Sequence, residues 1–231
     1  MSLILNIDTS QESATVCLAE NGELLRSVHN EVQKEHAVFL HDAIKNILAS
    51  QPESIHSLSA IAVTEGPGSY TGLRVGMASA KGLCYALDIP LITIGTLNMM
   101  AYTAIHALNA SERNDTLFCP MIDARRMEVF TALFDAGMNE ITPASALVLD
   151  ADSFNEKLRL NRICFFGSGA EKLKQLLHHD NAFFIELPGQ AVSLGHLSQK
   201  KYENNQFANL AHCEPLYVKE FYSSTPLHTI K

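Results

Sequence analysis

The densest chemical signal in the chain is the run Glu65-Gly66-Pro67-Gly68-Ser69-Tyr70-Thr71-Gly72-Leu73-Arg74-Val75-Gly76. It lies between an apolar strand pattern and a helical pattern. A glycine-rich strand-to-helix loop can offer backbone N–H groups and a helix dipole to an anion. The run is not a Walker loop, because no Gly-Lys-Ser/Thr follows, and Thr71 stands where a dinucleotide fingerprint needs its third glycine. The Gly-x-Ser-x-Gly nucleophile elbow is also missing. The competing reading is a tight structural turn in which Ser69 or Thr71 caps the helix.

Asp8 and Asp123 each end an apolar strand pattern. Two strand-terminal acids facing one another across a cleft are the layout of a two-lobed phosphotransferase, in which they hold a metal–nucleotide complex. Asp8, Thr9, Ser10, Asp123, Gly167 and Gly169 are the residues that could line such a cleft. Phosphate approaching the backbone favours glycine after each acid. Thr9, Ala124 and Arg125 stand there instead, which weakens an ATPase reading. Capping of local turns by the two acids is the plainer alternative.

Other chemistry finds little support. Cys17, Cys84, Cys119, Cys164 and Cys213 are odd in number and widely spaced, with no CxxC, which points to free thiols in a reducing compartment. Cys17, Cys119 and Cys164 fall inside strand patterns, where cysteine acts as a small hydrophobe. His36 and His41 are five apart and His178-His179 adjacent, so neither pair shares a helix face, and no metal site is expected. No Ser, His and Asp can be nominated as a triad, so a peptidase has no nameable nucleophile and no catalytic residue is assigned. Arg125-Arg126 and Lys200-Lys201 are pairs rather than a basic stripe.

The elements that must position these groups follow from periodicity. The strand patterns are Leu3–Asp8, Ala14–Ala19, Leu24–Val28, Ala60–Thr64, Pro90–Ile94, Leu117–Asp123, Glu128–Phe134, Arg162–Phe166 and Phe183–Leu187. The helical patterns are His36–Ser50, the segment after Gly72 to about Leu87, Thr96 (as N-cap) to about Leu108, Ala170–His178 and Ser193–Tyr202. Asp8 and Asp123 each stand 14 residues before a turn glycine, Gly22 and Gly137. Strand, terminal Asp, second strand and turn glycine therefore recur in order, which predicts an internal repeat. The polar stretch Asn109–Asp115 separates a first lobe, 1–108, from a second, 109–231, whose final helix and tail can pack back on the first. The expected class is α/β with two related lobes, each a mixed sheet with flanking helices.

The whole chain has 231 residues, a formal charge of −8 and 47% hydrophobic residues. An acidic chain makes a poor stand-alone nucleic-acid binder. No apolar run approaches the ~18–20 residues of a membrane span. The N-terminus carries no basic residue before its apolar run, which argues against a secretory signal. A cytoplasmic protein is expected.

Two helices are too apolar for a surface position. From Leu73 to Leu87 the only charges are Arg74 and Lys81, and Gly72, Gly76 and Ala80 fall four apart. A helix apolar nearly all round is covered on more than one side. Small residues at that spacing let another backbone come close. The helix from His36 is similarly wide, with Phe39 and Ala43 outside its main stripe. The two could build half of an intermolecular four-helix bundle, or simply cover each other.

Four blocks carry a resemblance to a known family: Ile4-Leu5-Asn6-Ile7-Asp8-Thr9-Ser10, Gly66 to Gly76, Ile122 to Phe130, and Glu214-Pro215-Leu216-Tyr217-Val218. In that order, and across nearly the whole chain, they resemble the bacterial TsaB family, also called YeaZ. Tyr70 stands where Phe is usual and Lys219 where Arg often ends the last motif. The resemblance implies the actin-like ATPase (ribonuclease H-like) superfold. It also implies a role in making threonylcarbamoyladenosine beside the anticodon of tRNAs that read codons beginning with A. The family is the non-catalytic scaffold and activator of a catalytic paralogue, TsaD, joined by a small ATPase, TsaE. It homodimerises in isolation and meets tRNA through the complex, with no cofactor of its own and ATP only in the assembled complex. The family's contact is a helical bundle, placing the expected interface on Phe39, Leu40, Ala43, Ile44, Ile47, Leu73, Gly76, Met77 and Ala80. An independent ATP-dependent phosphotransferase is the alternative.

Overall fold

A computed structural model describes residues 1–31, 36–49 and 55–219. Its core is built from the same topology used twice. Strands β1 (Leu3–Asp8), β2 (Ala14–Glu20), β3 (Glu23–Asn30), β4 (Ala60–Gly66) and β5 (Leu91–Gly95) form one sheet in the order β3-β2-β1-β4-β5. Strands β6 (Thr116–Asp123), β7 (Glu128–Phe134), β8 (Glu140–Val148), β9 (Arg162–Phe166) and β10 (Ala182–Phe184) form a second, in the order β10-β9-β6-β7-β8. In both, the first three strands run antiparallel and the last two join the first in parallel. The duplication read from the Asp–Gly spacing is therefore real, and two such sheets with flanking helices are the actin-like ATPase superfold.

The helices repeat as well. In the first half α1 (His36–Ala49) precedes β4, α2 (Tyr70–Leu87) follows it, and α3 (Thr96–Ala107) follows β5. A single turn, α4 (Ala110–Arg113), opens the second half. There α5 (Asn155–Leu158), α6 (Ala170–Lys174) and α7 (Ala191–Glu203) take the corresponding places. Ser50, the expected end of α1, lies outside the described residues.

The strand β1 is buried at all six positions because both faces of its sheet are covered. Leu3, Leu5 and Ile7 point to one side, where α1 and α2 lie with Leu40, Ile44, Ile47, Met77 and Cys84. Ile4 points to the other, with Met99 of α3 and Leu194 of α7. Helix α7 thus returns to the first sheet, while α3 packs on the second against Phe118, Ile122 and Phe166. The two lobes are joined through these exchanged helices, which also touch one another.

Several boundaries differ from the sequence reading. Thr96 is the first helical residue rather than the cap: Gly95 is the N-cap, and Thr96 is buried with its Oγ1 lacking a partner among the described residues. Helix α6 stops at Lys174, well short of His178. Strand β8 has no counterpart in the sequence reading. It is an edge strand, exposed or half-buried along its length, so it lacks a buried apolar run, and Pro143 is tolerated at a sheet edge. Among the described residues no helix is long and apolar enough to cross a membrane.

Candidate functional site

The glycine-rich run serves the chain's own backbone first. Ser69 is the N-cap of α2, its Oγ accepting from the Gly72 N–H at 3.3 Å. The Ser69 N–H donates to the Ser10 carbonyl at 2.7 Å. A Cβ at Gly68 would strike that same Ser10 carbonyl, and one at Gly72 the Thr9 carbonyl. Thr9 Oγ1 in turn donates to the Gly72 carbonyl at 2.7 Å. The turn after β1, where a nucleotide's phosphates would sit in a phosphotransferase, is roofed by residues 68–72.

Asp8 and Asp123 end equivalent strands but live differently. Asp8 is buried, and its Oδ1 accepts from Ser10 N–H (2.9 Å), Ser10 Oγ (2.6 Å) and Thr64 Oγ1 (2.8 Å). Asp123 is exposed and pairs with Lys172 Nζ at 2.7 Å, while the Arg125 N–H donates to it at 2.6 Å. Partial burial pushes its carboxyl up. The hydrogen bonds from Lys172 and Arg125, with the Lys172 charge, outweigh that and hold it below the usual range. The Gly167-Ser168-Gly169 turn docks on the end of β6: Gly169 N–H donates to the Met121 carbonyl (3.0 Å), and Ser168 Oγ accepts from Asp123 N–H (3.1 Å). Gly167 and Gly66 occupy matching places in the repeat, and both have positive φ, 96° and 115°. A side chain there would strain the backbone and press on Met121 or Leu216 respectively.

The expected interface residues face inward. Leu40, Ala43, Ile44, Ile47, Leu73, Gly76, Met77 and Ala80 are buried within this chain, and Phe39 is half-buried against the same core. The reason is local. The Gly72, Gly76, Ala80 stripe does admit a close neighbour, but that neighbour is the chain's own first lobe: a Cβ at Gly72 would overlap the Thr9 carbonyl, and one at Gly76 would collide with Thr9 Oγ1 and meet the side chains of Ile7 and Val63. The surface these helices leave open is their opposite side. On α2 it includes Arg74 and then Ala78, Gly82, Tyr85 and Ala86, with Tyr85 83% exposed and open space beside Gly82. On α1 it includes Val38, 72% exposed, with His41, Asp42 and Lys45.

The C-terminal segment straps both lobes. Leu216 N–H donates to the Glu65 carbonyl at 2.6 Å, and Lys81 Nζ to the Cys213 carbonyl at 2.9 Å. The Tyr217 ring lies 5.3 Å from that of Tyr70, and its hydroxyl accepts from Arg74 Nε at 3.1 Å. Lys219 then reaches Glu128 of the second lobe at 2.6 Å. The position where the family favours Arg thus keeps a charge pair.

All five cysteines are free thiols. Burial pushes Cys17, with the Asp8 charge assisting, up to about 12, and Cys119 and Cys164 also to about 12. Burial raises Cys84 to about 11 and lifts Cys213 as well. Thiolate nucleophiles are thereby disfavoured. The His36 side chain lies outside the described residues. Among the described residues no group of three His, Cys, Asp or Glu is arranged to hold a metal.

A profile of the family described as "TsaD: tRNA N6-adenosine threonylcarbamoyltransferase" matches residues 27–217. The chain is 30% identical over 178 residues to the "tRNA threonylcarbamoyladenosine biosynthesis protein TsaB" of Bacillus subtilis, covering 75% of this chain and 74% of that protein. The chain belongs to the TsaB (YeaZ) family. The TsaB of Escherichia coli is 34% identical over 139 residues, 60% of this chain and 57% of its relative. The solved YeaZ from Pseudomonas aeruginosa shares the fold, with a TM-score of 0.73 at 23% identity, covering 94% of this chain and all of that one.

For this TsaB-family chain, sequence reasoning expected the tail to return to the first lobe but named none of its partners, and it missed the outward side of α2. The signal for that side was present: Ala78, Gly82 and Ala86 form a second stripe with the same four-residue spacing as the first. The individual partners of the tail left none, because they join residues far apart in the chain.

Proposed function

We propose that the chain is a non-catalytic scaffold and activator that docks a TsaD-type catalytic paralogue. The complex forms threonylcarbamoyladenosine next to the anticodon of tRNAs reading codons that begin with A. The reading rests on family membership together with one structural observation. The outer side of α2 carries the small residues Ala78, Gly82 and Ala86 and the exposed Tyr85, and α1, which packs against α2, exposes Val38. Small residues let a partner helix approach closely, and an exposed tyrosine supplies an anchor of the kind enriched at interfaces. The same side would serve a homodimer in isolation. A TsaE-type ATPase joins the complex, and the setting is cytoplasmic.

Support for a non-catalytic role comes from the cleft. Asp8 is engaged by Ser10 and Thr64, Asp123 by Lys172, and the turn after β1 lies beneath Gly68 and Gly72. Nucleotide would therefore act in the assembled complex rather than on this chain alone.

Size-exclusion chromatography with the TsaD-type partner tests the docking. Gly82→Arg should abolish co-elution and leave the thermal transition of the isolated chain intact, since Gly82 has open space around it. Unchanged co-elution would refute this surface. Calorimetry with Mg-ATP decides against the phosphotransferase alternative if the isolated chain neither binds tightly nor turns over. Turnover lost in Asp8→Ala would reverse that choice.

A further inference from the structure

The β6–β7 turn holds two consecutive arginines in the left-handed region, Arg125 (φ 72°) and Arg126 (φ 51°). Residues with a Cβ resist that conformation, so the surroundings must impose it. The turn is closed by Ala124 N–H to Glu128 O (3.0 Å), Glu128 N–H to Arg125 O (3.1 Å) and Arg125 N–H to the Asp123 carboxylate. Both acids at its base are committed: Asp123 to Lys172, and Glu128 to Lys219. Arg125 and Arg126 are exposed, and among the described residues neither guanidinium has a partner.

The tail that Glu128 holds leads from the turn to aromatic surface. Lys219 stands two residues beyond Tyr217, which an extended chain spans in roughly 7 Å. Tyr217 packs beside Tyr70, and the Arg74 guanidinium stands 4.2 Å over the Tyr70 ring. A chain of contacts therefore links the arginine turn to two partly exposed tyrosines: Glu128 at the turn holds Lys219, the tail leads back from Lys219 to Tyr217, and Tyr217 packs on Tyr70 beneath Arg74, in a chain whose formal charge is −8. In the sequence these residues lie far apart, and only Arg125-Arg126 read as a pair.

We propose that this surface receives the backbone phosphates of single-stranded RNA, namely the anticodon loop of the tRNA that the complex modifies. The inference rests on the function proposed above. Arginines pair with phosphate oxygens, and tyrosine faces accept splayed bases. An open, convex turn suits an extended polyanion. A compact nucleotide would instead need converging donors, and the turn that could supply them after β1 is covered by residues 68–72.

The test uses this chain in complex with its TsaD-type partner, and an unmodified transcript of a tRNA reading A-initial codons. Affinity is measured by fluorescence anisotropy from 50 to 300 mM salt for wild type and for the double variant Arg125→Asn, Arg126→Asn. Asparagine tolerates the left-handed turn, so the variant removes charge and keeps the backbone. Losing two single-strand phosphate contacts should flatten the log–log salt slope by about 1.4 and weaken binding roughly 10- to 30-fold near 0.1 M salt. The charge-retaining pair Arg125→Lys, Arg126→Lys should keep the wild-type slope. An unchanged slope in the asparagine variant overturns the proposal. So does loss of partner co-elution in that variant, or loss of Mg-ATP affinity with tRNA affinity intact. Failure of the underlying function would show in the wild type, which would then neither co-elute with the partner nor support modification.

Discussion

The Ser69 N–H donates to the Ser10 carbonyl at 2.7 Å, tying the start of α2 to the turn after β1. Gly68 lies against the same carbonyl so closely that a Cβ there would overlap it. The loop that most resembles an anion cradle in sequence is thereby a clasp between two parts of one lobe.

Gly68→Ala and Gly76→Ala should each destabilise the chain by about 1–3 kcal/mol, because each new methyl meets a packed neighbour that must move. Gly82→Ala should do the opposite and add about 0.5–1 kcal/mol, since that helical position opens on empty space. Denaturant midpoints of the three variants check the contrast. Equal destabilisation at Gly76 and Gly82 would contradict the inward and outward assignment of the two stripes.

Asp8→Ala should cost about 2–4 kcal/mol, because it strips the acceptor shared by Ser10 and Thr64 and leaves two buried hydroxyls short of a partner. Asp8→Asn should cost less, as its amide oxygen can still accept. Urea unfolding of both variants measures the difference. A stable Asp8→Ala protein would mean that the carboxylate is kept for chemistry instead.

The Asp123 carboxyl is held below its ordinary range in the folded chain, so its contribution to stability has a definite sign. It is fully present above the unfolded value and is lost as pH falls through the lower folded value. The effect belongs below about pH 4. Because the Asp123 side chain is itself 42% exposed, the worth of its pair with Lys172 is at most about 1 kcal/mol. Asp123→Asn should therefore lower stability slightly at pH 7, and the difference from wild type should shrink as the pH falls below about 4. Unfolding curves at pH 7 and at a series of lower pH values read this directly.

Thiol reactivity should divide the cysteines. Cys213 is the one that is not fully buried and should react first with a maleimide, while Cys17, Cys84, Cys119 and Cys164 stay unlabelled in the native chain. Mass spectrometry before and after denaturation checks this. Rapid native labelling of Cys17 or Cys119 would show that the sheets open far more readily than their burial implies.

Much of this architecture is legible in the residue order alone. Apolar runs marked the buried strands, and the paired Asp–Gly spacing exposed the duplication, because a buried central strand and its hairpin turn have local signatures. Strand β8 escaped as a half-exposed edge, although the duplication itself called for a counterpart to β3. Periodicity also revealed that α2 carries too much apolar surface, since the width of a stripe is a property of one helix. Which stripe meets the sheet was decided only by tertiary packing: Gly76 sits on Thr9, and Gly82 on nothing. The same holds for Lys219 with Glu128 and for Arg74 with Tyr217. Such neighbours are brought together by how the sheets and the tail fold back in space, and no local pattern along the chain encodes that distance.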